Sequence, residues 1–401
     1  MKNIKDPVHG DIEVSEAHLS LLDAPVLQRL RYIRQLGFSY LVYPGANHTR
    51  FEHSLGTMYL ADLVCRQLAL DAGERQLITC AALLHDIGHG PFSHAIEPLM
   101  VDCLHQNHHE IGALLDDDRT SGLLSRIGVD PGELARVIAG NHPLSGIIYG
   151  DLDVDRMDYL LRDAHYTGAP YGTVDAHRLI RNTLIAEDGR IVLHESGINA
   201  AESLLLARTL MRPAVYFHHV SRIAETMFLQ AVHTHILEDR SLAAGIVRMD
   251  DAACMQSLLT SDADISRMLT GRIYTRALYK RALYIGKEQV NTSSIKEYAT
   301  IARREQVAED IARGAGLEPH EVLVDIPPFP HAMAMGVQVK NRHQVIGLEE
   351  VSPLMNTLNE TRQGQWRLGV YTLPDKVKPV AEVAAEVLHI RPVTLQKTLR
   401  V

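Results

Sequence analysis

Aromatic residues make up only 5% of the 401-residue chain, with a single tryptophan, and the four cysteines include no C-x-x-C pair. Cys65, Cys80, Cys103 and Cys254 are scattered, and they read as reduced, buried thiols of a cytosolic protein. Basic charge is not in excess. Forty Lys and Arg stand against 49 Asp and Glu, for a net charge of -9 and a pI near 6.2. That excludes a protein whose main task is coating DNA or RNA, although it leaves room for a local basic pocket around a phosphate-bearing small molecule. Long apolar runs are missing as well. The longest, Leu77–Leu84, is interrupted by Thr79 and falls far short of the roughly 20 residues that span a bilayer. The opening MKNIKDPVHGDIEV is too polar for a signal peptide, so a soluble, cytoplasmic protein without a membrane partner is expected.

What is present is ordinary globular composition, 46% hydrophobic and 22% charged, which rules out general disorder. The length predicts one large or two unequal domains. Histidine departs from the ordinary. The chain has 22, many beside Asp or Glu, more than folding needs, and this points to metal or acid–base chemistry.

Periodicity predicts a mainly α fold. Helices are expected at Pro25–Leu36, Glu52–Ala72, Arg75–Asp86, Gly132–Ala139, Asp155–Ala164, Ala200–Glu238 and Met249–Leu259. The third is apolar nearly all round and so centrally buried. A hairpin is expected from Leu184–Ala186 and Ile191–His194 around the Asp188-Gly189 turn. Beyond about residue 320 the character changes. Val322–Ile326, Gly336–Gln338 and Trp366–Thr372 read as strands and Val377–Leu388 as a helix, with Pro327-Pro328 and Pro330 at the junction. The expected division is a helical domain over 1–320 and a small α+β subdomain over 321–401.

The strongest chemical signal is His85-Asp86, followed by Ile87-Gly88-His89-Gly90-Pro91-Phe92-Ser93-His94. An imidazole and a carboxylate side by side at a helix end can turn toward one divalent cation. His53, in Arg50-Phe51-Glu52-His53, and Asp155, in Asp153–Tyr159, are candidates to complete the set. Three histidines within ten residues are hard to explain as core filling.

These motifs resemble the HD-domain phosphohydrolases, and within them the deoxynucleoside triphosphate triphosphohydrolases, including the HD part of the animal enzyme that also carries a sterile-alpha-motif domain. The resemblance runs through Asp6-Pro7-Val8-His9-Gly10, Gln28–Gly37, Pro44-Gly45-Ala46, Arg50–Gly56, HDIGHGPFSH and Asp153–Asp163, with a weaker match over Arg208–Val220. It covers about residues 2–230, and the sterile-alpha-motif part lies outside it. It implies an HD-domain helical fold and one divalent ion (Mn, Fe, Mg, Zn or Co) on His53, His85, Asp86 and Asp155. Water would attack the α-phosphorus of a dNTP and release a deoxynucleoside and triphosphate. His94 would protonate the leaving 5′-oxygen, tuned by Glu97 where the family commonly has Asp, with His89 and His109 as further active-site histidines. Arg50, Arg156, Tyr159 and Arg208 would bind phosphate, Gln35 and Asp163 would read the sugar, and Tyr216 would sit near sugar and base.

The resemblance also implies a GTP or dGTP activator pocket on Lys2, Asp23, Gln28 and Arg31, completed by another subunit of a homo-oligomer, tetramer or dimer. Lys5 replaces the family's Asn there, and Ala214 replaces an Arg in the neighbouring activator pocket. Asp23 is equally readable as a helix cap and Arg31 as a surface charge. Rival readings are a phosphohydrolase or phosphodiesterase for another nucleotide, and a catalytically weak nucleotide sensor. Stable nucleic-acid binding is not expected.

Overall fold

The computed structural model describes residues 2–105, 107–187, 189–290, 300–330, 332–333, 336–342 and 344–390. It is mainly helical, and its apolar side chains gather in three clusters. The first and largest is built by helices Arg50–Gln67, Ala72–Leu84, Pro131–Ile138, Val154–Thr167 and Ile198–Met211. Helix Ala72–Leu84 starts where Asp71 accepts from the Gly73 and Glu74 N–H groups at 2.8 and 2.9 Å, while Glu74 bonds back to the Asp71 N–H. Three N–H groups that the helix leaves unpaired are thereby met. Every residue from Leu77 to Leu84 is buried, as its apolar circumference requires. Among the described residues no helix is long and apolar enough to cross a membrane.

Helix Arg50–Gln67 lies against Val154–Thr167 because Gly56 has no side chain. A Cβ there would fall 1.8 Å from Asp158 Oδ1 and 2.4 Å from an Arg162 Nη. The second cluster packs helix His219–Glu238 on Asp251–Leu259 and Asp264–Tyr274. In the third, strands Lys280–Gly286, Arg367–Thr372 and Val322–Asp325 form an antiparallel sheet in that spatial order, covered by helices Ile301–Gly314 and Val377–Val387. The boundary expected at 320 therefore cuts through this unit, since one edge strand comes from 280–286. Met333, Val337, Val339 and Leu358 meanwhile belong to the first cluster.

Four local expectations need correction. Pro25–Leu36 is not one helix. Pro25–Gln28 is α, Arg29–Tyr32 tightens to 3-10, and Ile33 turns extended. The chain then bonds to 48–50, with Ile33 accepting from the Arg50 N–H at 3.0 Å and Gln35 donating to the His48 carbonyl at 3.0 Å. Ala200–Glu238 breaks after Met211 into a wide π-type turn, Arg212–Tyr216, before His219 restarts the helix. Pro213 supplies the reason, since it lacks an N–H and cannot continue the regular ladder. Cys103 is exposed, at the end of helix Glu97–Leu104, whereas the other three cysteines are buried. Asp23 follows helix Glu16–Leu22 as its C-cap, and the next helix starts from Ala24. The expected hairpin forms as Thr183–Ile185 with Ile191–His194 and is extended by strands Gln338–Lys340 and Val345–Gly347; Asp188 of its turn lies outside the described residues. A further hairpin, Lys2–Asp6 with Gly10–Val14, opens the chain, and Gly10 takes a φ of +79° at the turn.

Candidate metal centre and active site

His53 sits in the first turn of Arg50–Gln67, His85 and Asp86 just beyond Ala72–Leu84, and Asp155 in the first turn of Val154–Thr167. One ligand atom from each of His53, His85 and Asp86 falls within a 4.8 Å group. Asp155 Oδ1 stands 2.9 Å from His53 Nε2 and 3.7 Å from His85 Nε2. The tautomer of His85 is set locally: Nδ1 lies 2.7 Å from the Ala82 carbonyl and must donate, which leaves a lone pair on Nε2. That Nε2 is buried and has no hydrogen-bond partner. An unmet buried acceptor is costly, and a cation at the focus of these donors would satisfy it. The donor set, two imidazoles and two carboxylates, could hold a divalent metal. Asp86 is held well below the usual carboxylate range; burial opposes its charge, but the Arg50 guanidinium at 2.7 Å outweighs it.

Behind these donors the packing is closed and polar. His53 Nδ1 donates to Asp158 Oδ2 at 2.7 Å, the outer-sphere contact that fixes a ligand imidazole. Asp158 also bonds His9 Nε2 at 2.6 Å and accepts from Arg162 Nε and Nη at 2.9 Å each. Arg162, fully buried, donates its remaining Nη to Asp6 at 2.8 Å. The run Asp6–Arg162–Asp158–His53 thus ties the N-terminal strand to the donor cluster.

The neighbouring wall is made of loops. Phe92 and Ser93 adopt left-handed φ values of 49° and 34°, a conformation that β-carbon residues hold only when their surroundings compel it. Asp251 supplies that hold, accepting the Phe92 N–H at 2.8 Å and the Arg34 N–H at 3.0 Å. The turn exposes His94, whose side chain is 70% accessible and whose Nδ1 lies 3.5 Å from Glu97 Oε2. Glu97 is bonded through its other oxygen to His108. Burial opposes its charge, but the bonds to His108 and His94 keep the carboxyl far below its ordinary range. His89 is buried, stacked on His108 at 4.0 Å and 3.4 Å from Asp86. Burial and Arg50 hold it well below the usual imidazole range, hence neutral. His109 meets Tyr149 edge-on at 4.8 Å and is lowered to about 4 by burial and His108.

A cavity of about 500 Å³ joins both walls. Arg50 borders it with Nη1 on Asp86 at 2.7 Å, Nε on Ser93 at 2.6 Å and a buried, unpartnered Nη2. Across it lie Tyr159, Arg208 and Tyr216. Asp163 accepts from His48 Nε2 at 2.8 Å and from the Tyr216 hydroxyl at 2.9 Å. Gln35 also lines the cavity, with a buried Oε1 that has no partner.

Comparison with known proteins gives the family. The model of the HD domain matches residues 50–163, and that of the HD associated region matches residues 174–399. The chain belongs to the HD-domain family. An uncharacterized protein of Methanocaldococcus jannaschii is 35% identical over 385 residues, 95% of this chain and 81% of that protein. The deoxynucleoside triphosphate triphosphohydrolase SAMHD1 of Gallus gallus is 29% identical over 364 residues, 75% of this chain, which spans 59% of that enzyme's length. Among solved structures, a hypothetical protein from Aquifex aeolicus superposes with a TM-score of 0.77 at 30% identity, covering 96% of this chain and 99% of its own.

In this HD-domain protein the HD segment carries His53, His85, Asp86, His94 and Asp155, while the associated region brings Arg208 and Tyr216. Not every expected residue reaches the main cavity. Arg156 bonds to Asp153 and lines two adjoining cavities instead. Lys2, Asp23, Gln28 and Arg31 are away from it. Gln28 Oε1 accepts from Arg31 Nε at 2.9 Å, and Arg31 lies 3.6 Å over the Phe51 ring. Lys5 pairs with Asp11 at 2.8 Å, and the Ala214 carbonyl accepts from the Tyr43 hydroxyl at 2.5 Å. Sequence reasoning assigned nothing to Asp158, Arg162, His48 or His108. Asp158 and Arg162 were open to it, because a carboxylate and an arginine four apart share a helix face. His48 and His108 had no such signal.

Proposed function

We propose that this cavity hydrolyses deoxynucleoside triphosphates at the α-phosphorus, releasing a deoxynucleoside and intact triphosphate. One observation carries the reading: His85, Asp86 and Asp155 of the donor group, an exposed histidine backed by a carboxylate, and a wall of arginine and tyrosine border one cavity of about 500 Å³. His53, His85, Asp86 and Asp155 would hold the divalent ion, Mn, Fe, Mg, Zn or Co, which when bound supplies Lewis-acid polarisation of the phosphate and a more acidic water.

The chain's own groups do the rest. Arg50, clamped by Asp86 and Ser93, offers its spare Nη2 to a phosphate oxygen where negative charge builds up. Arg208 and Tyr159 hold further phosphate oxygens. As the bond between phosphorus and the 5′-oxygen breaks, His94 gives that oxygen its proton, and the attacking water's surplus proton passes to solvent, from which His94 is recharged. The ionised Glu97 takes the His94 Nδ1 side and leaves Nε2 as the available nitrogen. Asp163 fixes the Tyr216 hydroxyl, with His48 stacked on Tyr166 at 4.5 Å behind it. This backed surface, with Gln35 beside it, would read the sugar and disfavour a ribose 2′-hydroxyl.

The test is incubation with each dNTP and NTP under several metals, with separation of products. Deoxynucleoside plus triphosphate is expected, with deoxy forms favoured by roughly 10–200-fold, the range open to pocket fit. Equal turnover of ATP and dATP would make it a broader nucleotide phosphohydrolase. Monophosphate plus pyrophosphate would move the cleaved bond, and tight nucleotide binding without turnover would favour a sensor.

A further inference from the structure

A second cavity, of about 830 Å³, meets the catalytic one at the donor cluster. Asp155, His108, His109 and Tyr149 border both, whereas Arg50, His94, Arg208 and Tyr216 border the catalytic cavity and not this one. Strand Ile191–His194 walls the second chamber through Ile191 and Val192. A water molecule's share of liquid volume is only about 30 Å³, so the space exceeds what the passage of water needs, and its apolar wall suits carbon. Tyr149 stands where the two cavities join. Its backbone is fixed, because its N–H bonds the Ser145 carbonyl at 2.8 Å and the next N–H, that of Gly150, bonds Asp153 at 2.8 Å. Its ring is fixed as well, edge-on to His109 at 4.8 Å and to His85 at 6.3 Å. The hydroxyl oxygen is buried and, among the described residues, has no hydrogen-bond partner; the same holds for His109 Nδ1. Leaving a buried O–H unmet is costly, and a phenol can donate to an oxygen that enters at this join.

In a displacement at phosphorus the incoming and leaving oxygens lie in line, on opposite faces. His94 marks the leaving side in the triphosphohydrolase reading above, on which this inference rests. The incoming oxygen then approaches from the face away from His94, and the second chamber reaches Asp155 without bordering His94 or Arg208. We infer that this chamber delivers the incoming oxygen, that the Tyr149 hydroxyl holds it by a hydrogen bond, and that a small alcohol can enter in place of water, so that the chain also transfers triphosphate to alcohols. The alcohol oxygen bonds to the α-phosphorus as the bond from phosphorus to the 5′-oxygen breaks. The alcohol's proton leaves to solvent in the chamber, and the 5′-oxygen takes the proton of His94. An alkyl triphosphate and a deoxynucleoside result, with no other reactant consumed.

The test is incubation of the metal-loaded full chain with dATP and graded methanol or ethylene glycol, with separation of products. Methyl or hydroxyethyl triphosphate is expected beside inorganic triphosphate, its share rising with the alcohol. Ile191→Trp, which fills the chamber from the sheet side, should lower that share several-fold while water still passes. Should it fail to fold, Gly146→Leu fills the same space from an exposed position, where an added Cβ would stand 3.4 Å from Ile191. Tyr149→Phe should lower kcat roughly 10–100-fold, the loss typical of a hydrogen bond to a charged group, with the KM for dATP within about two-fold. Calorimetric titration with fluoride gives a readout without turnover, since this small anion accepts a hydrogen bond where the incoming oxygen would. Its affinity should fall roughly ten-fold in Tyr149→Phe at unchanged metal content. Absence of alkyl triphosphate, an undiminished alkyl share in the chamber-filled variant, or fluoride affinity indifferent to Tyr149→Phe would each overturn the inference. Fluoride affinity that depends on Tyr149 in a chain that cleaves no dNTP would instead overturn the triphosphohydrolase reading alone.

Discussion

Two walls of the same cavity are built by different means. His53, in the donor wall, is 1% exposed at its side chain, sits on a regular helix and is braced by Asp158, Arg162 and Asp6 through hydrogen bonds of 2.7–2.9 Å. His94, in the loop wall, is 70% exposed, follows two left-handed residues and makes one 3.5 Å contact with Glu97. A cation site needs fixed donors, whose order must not be lost each time the ion leaves. A proton donor must instead meet a leaving group and then solvent, so it tolerates and needs exposure. The difference predicts that damage to the donor wall removes metal, activity and stability together, while damage to the loop wall removes rate alone.

The largest effect should come from Asp86→Ala. It takes away one of the proposed metal donors and also the partner of the buried Arg50. Metal content by elemental analysis should fall to background, and turnover with it. A variant that still binds metal stoichiometrically would remove Asp86 from the donor set.

His94→Ala should lower kcat by about 10²–10⁴-fold, the usual worth of a general acid, and keep the wild-type metal content and denaturation midpoint. If the metal is lost as well, the two walls are not separable and His94 is a ligand or a brace.

Asp158→Asn probes the brace without touching the donor group. The amide keeps the shape but cannot accept from His9, His53 and Arg162 at once. Metal affinity should weaken about 10–100-fold, as for other outer-sphere changes. Stability should drop by about 3–5 kcal/mol, because a buried ion pair has lost one partner. Urea unfolding with and without added metal reads both. A normal unfolding curve would mean that Asp6 alone satisfies Arg162.

How much of this was legible in sequence follows the same division. Helix Ala72–Leu84 announced itself by its apolar run, although its first turn with the Asp71 cap was read into the preceding helix, and HDIGHGPFSH marked His85 and Asp86 by type and adjacency, while the acid role of His94 came only from the family resemblance. The brace was half legible. Asp158 and Arg162 have helical spacing, but their link to Asp6 joins residues 156 positions apart, which no local pattern carries. The turn after Met211 was missed because apolar spacing continues across Pro213, and only the missing N–H breaks the helix there. The third core was misdivided because strand Lys280–Gly286 lies far in sequence from Arg367–Thr372, the strand it pairs with.

The smallest expected effect concerns the N-terminal segment, where the two walls can be tested for a common control. Strand Lys2–Asp6 carries Lys2 at one end and, at the other, Asp6, the anchor of the brace that reaches His53. If a guanine nucleotide binds at Lys2, Asp23, Gln28 and Arg31 between subunits of a homo-oligomer, it acts on the donor wall through that strand and leaves the His94 loop untouched. Activation can be no larger than the nucleotide's preference for the assembled form. Gln28 and Arg31 already bond each other at 2.9 Å, and that contact must be given up on binding. The coupling should therefore lie at the low end of the usual range, about five-fold. Sedimentation and rates with and without GTP, on the native chain and on Asp23→Ala, measure it. The native rate and mass should rise with GTP, and those of Asp23→Ala should not. If the brace serves metal retention, as proposed, GTP should also slow metal loss to a chelator. Faster turnover with unchanged metal retention would place the control on the loop wall, and rates and mass indifferent to GTP would leave Lys2, Asp23, Gln28 and Arg31 as capping and surface groups beside a structural brace.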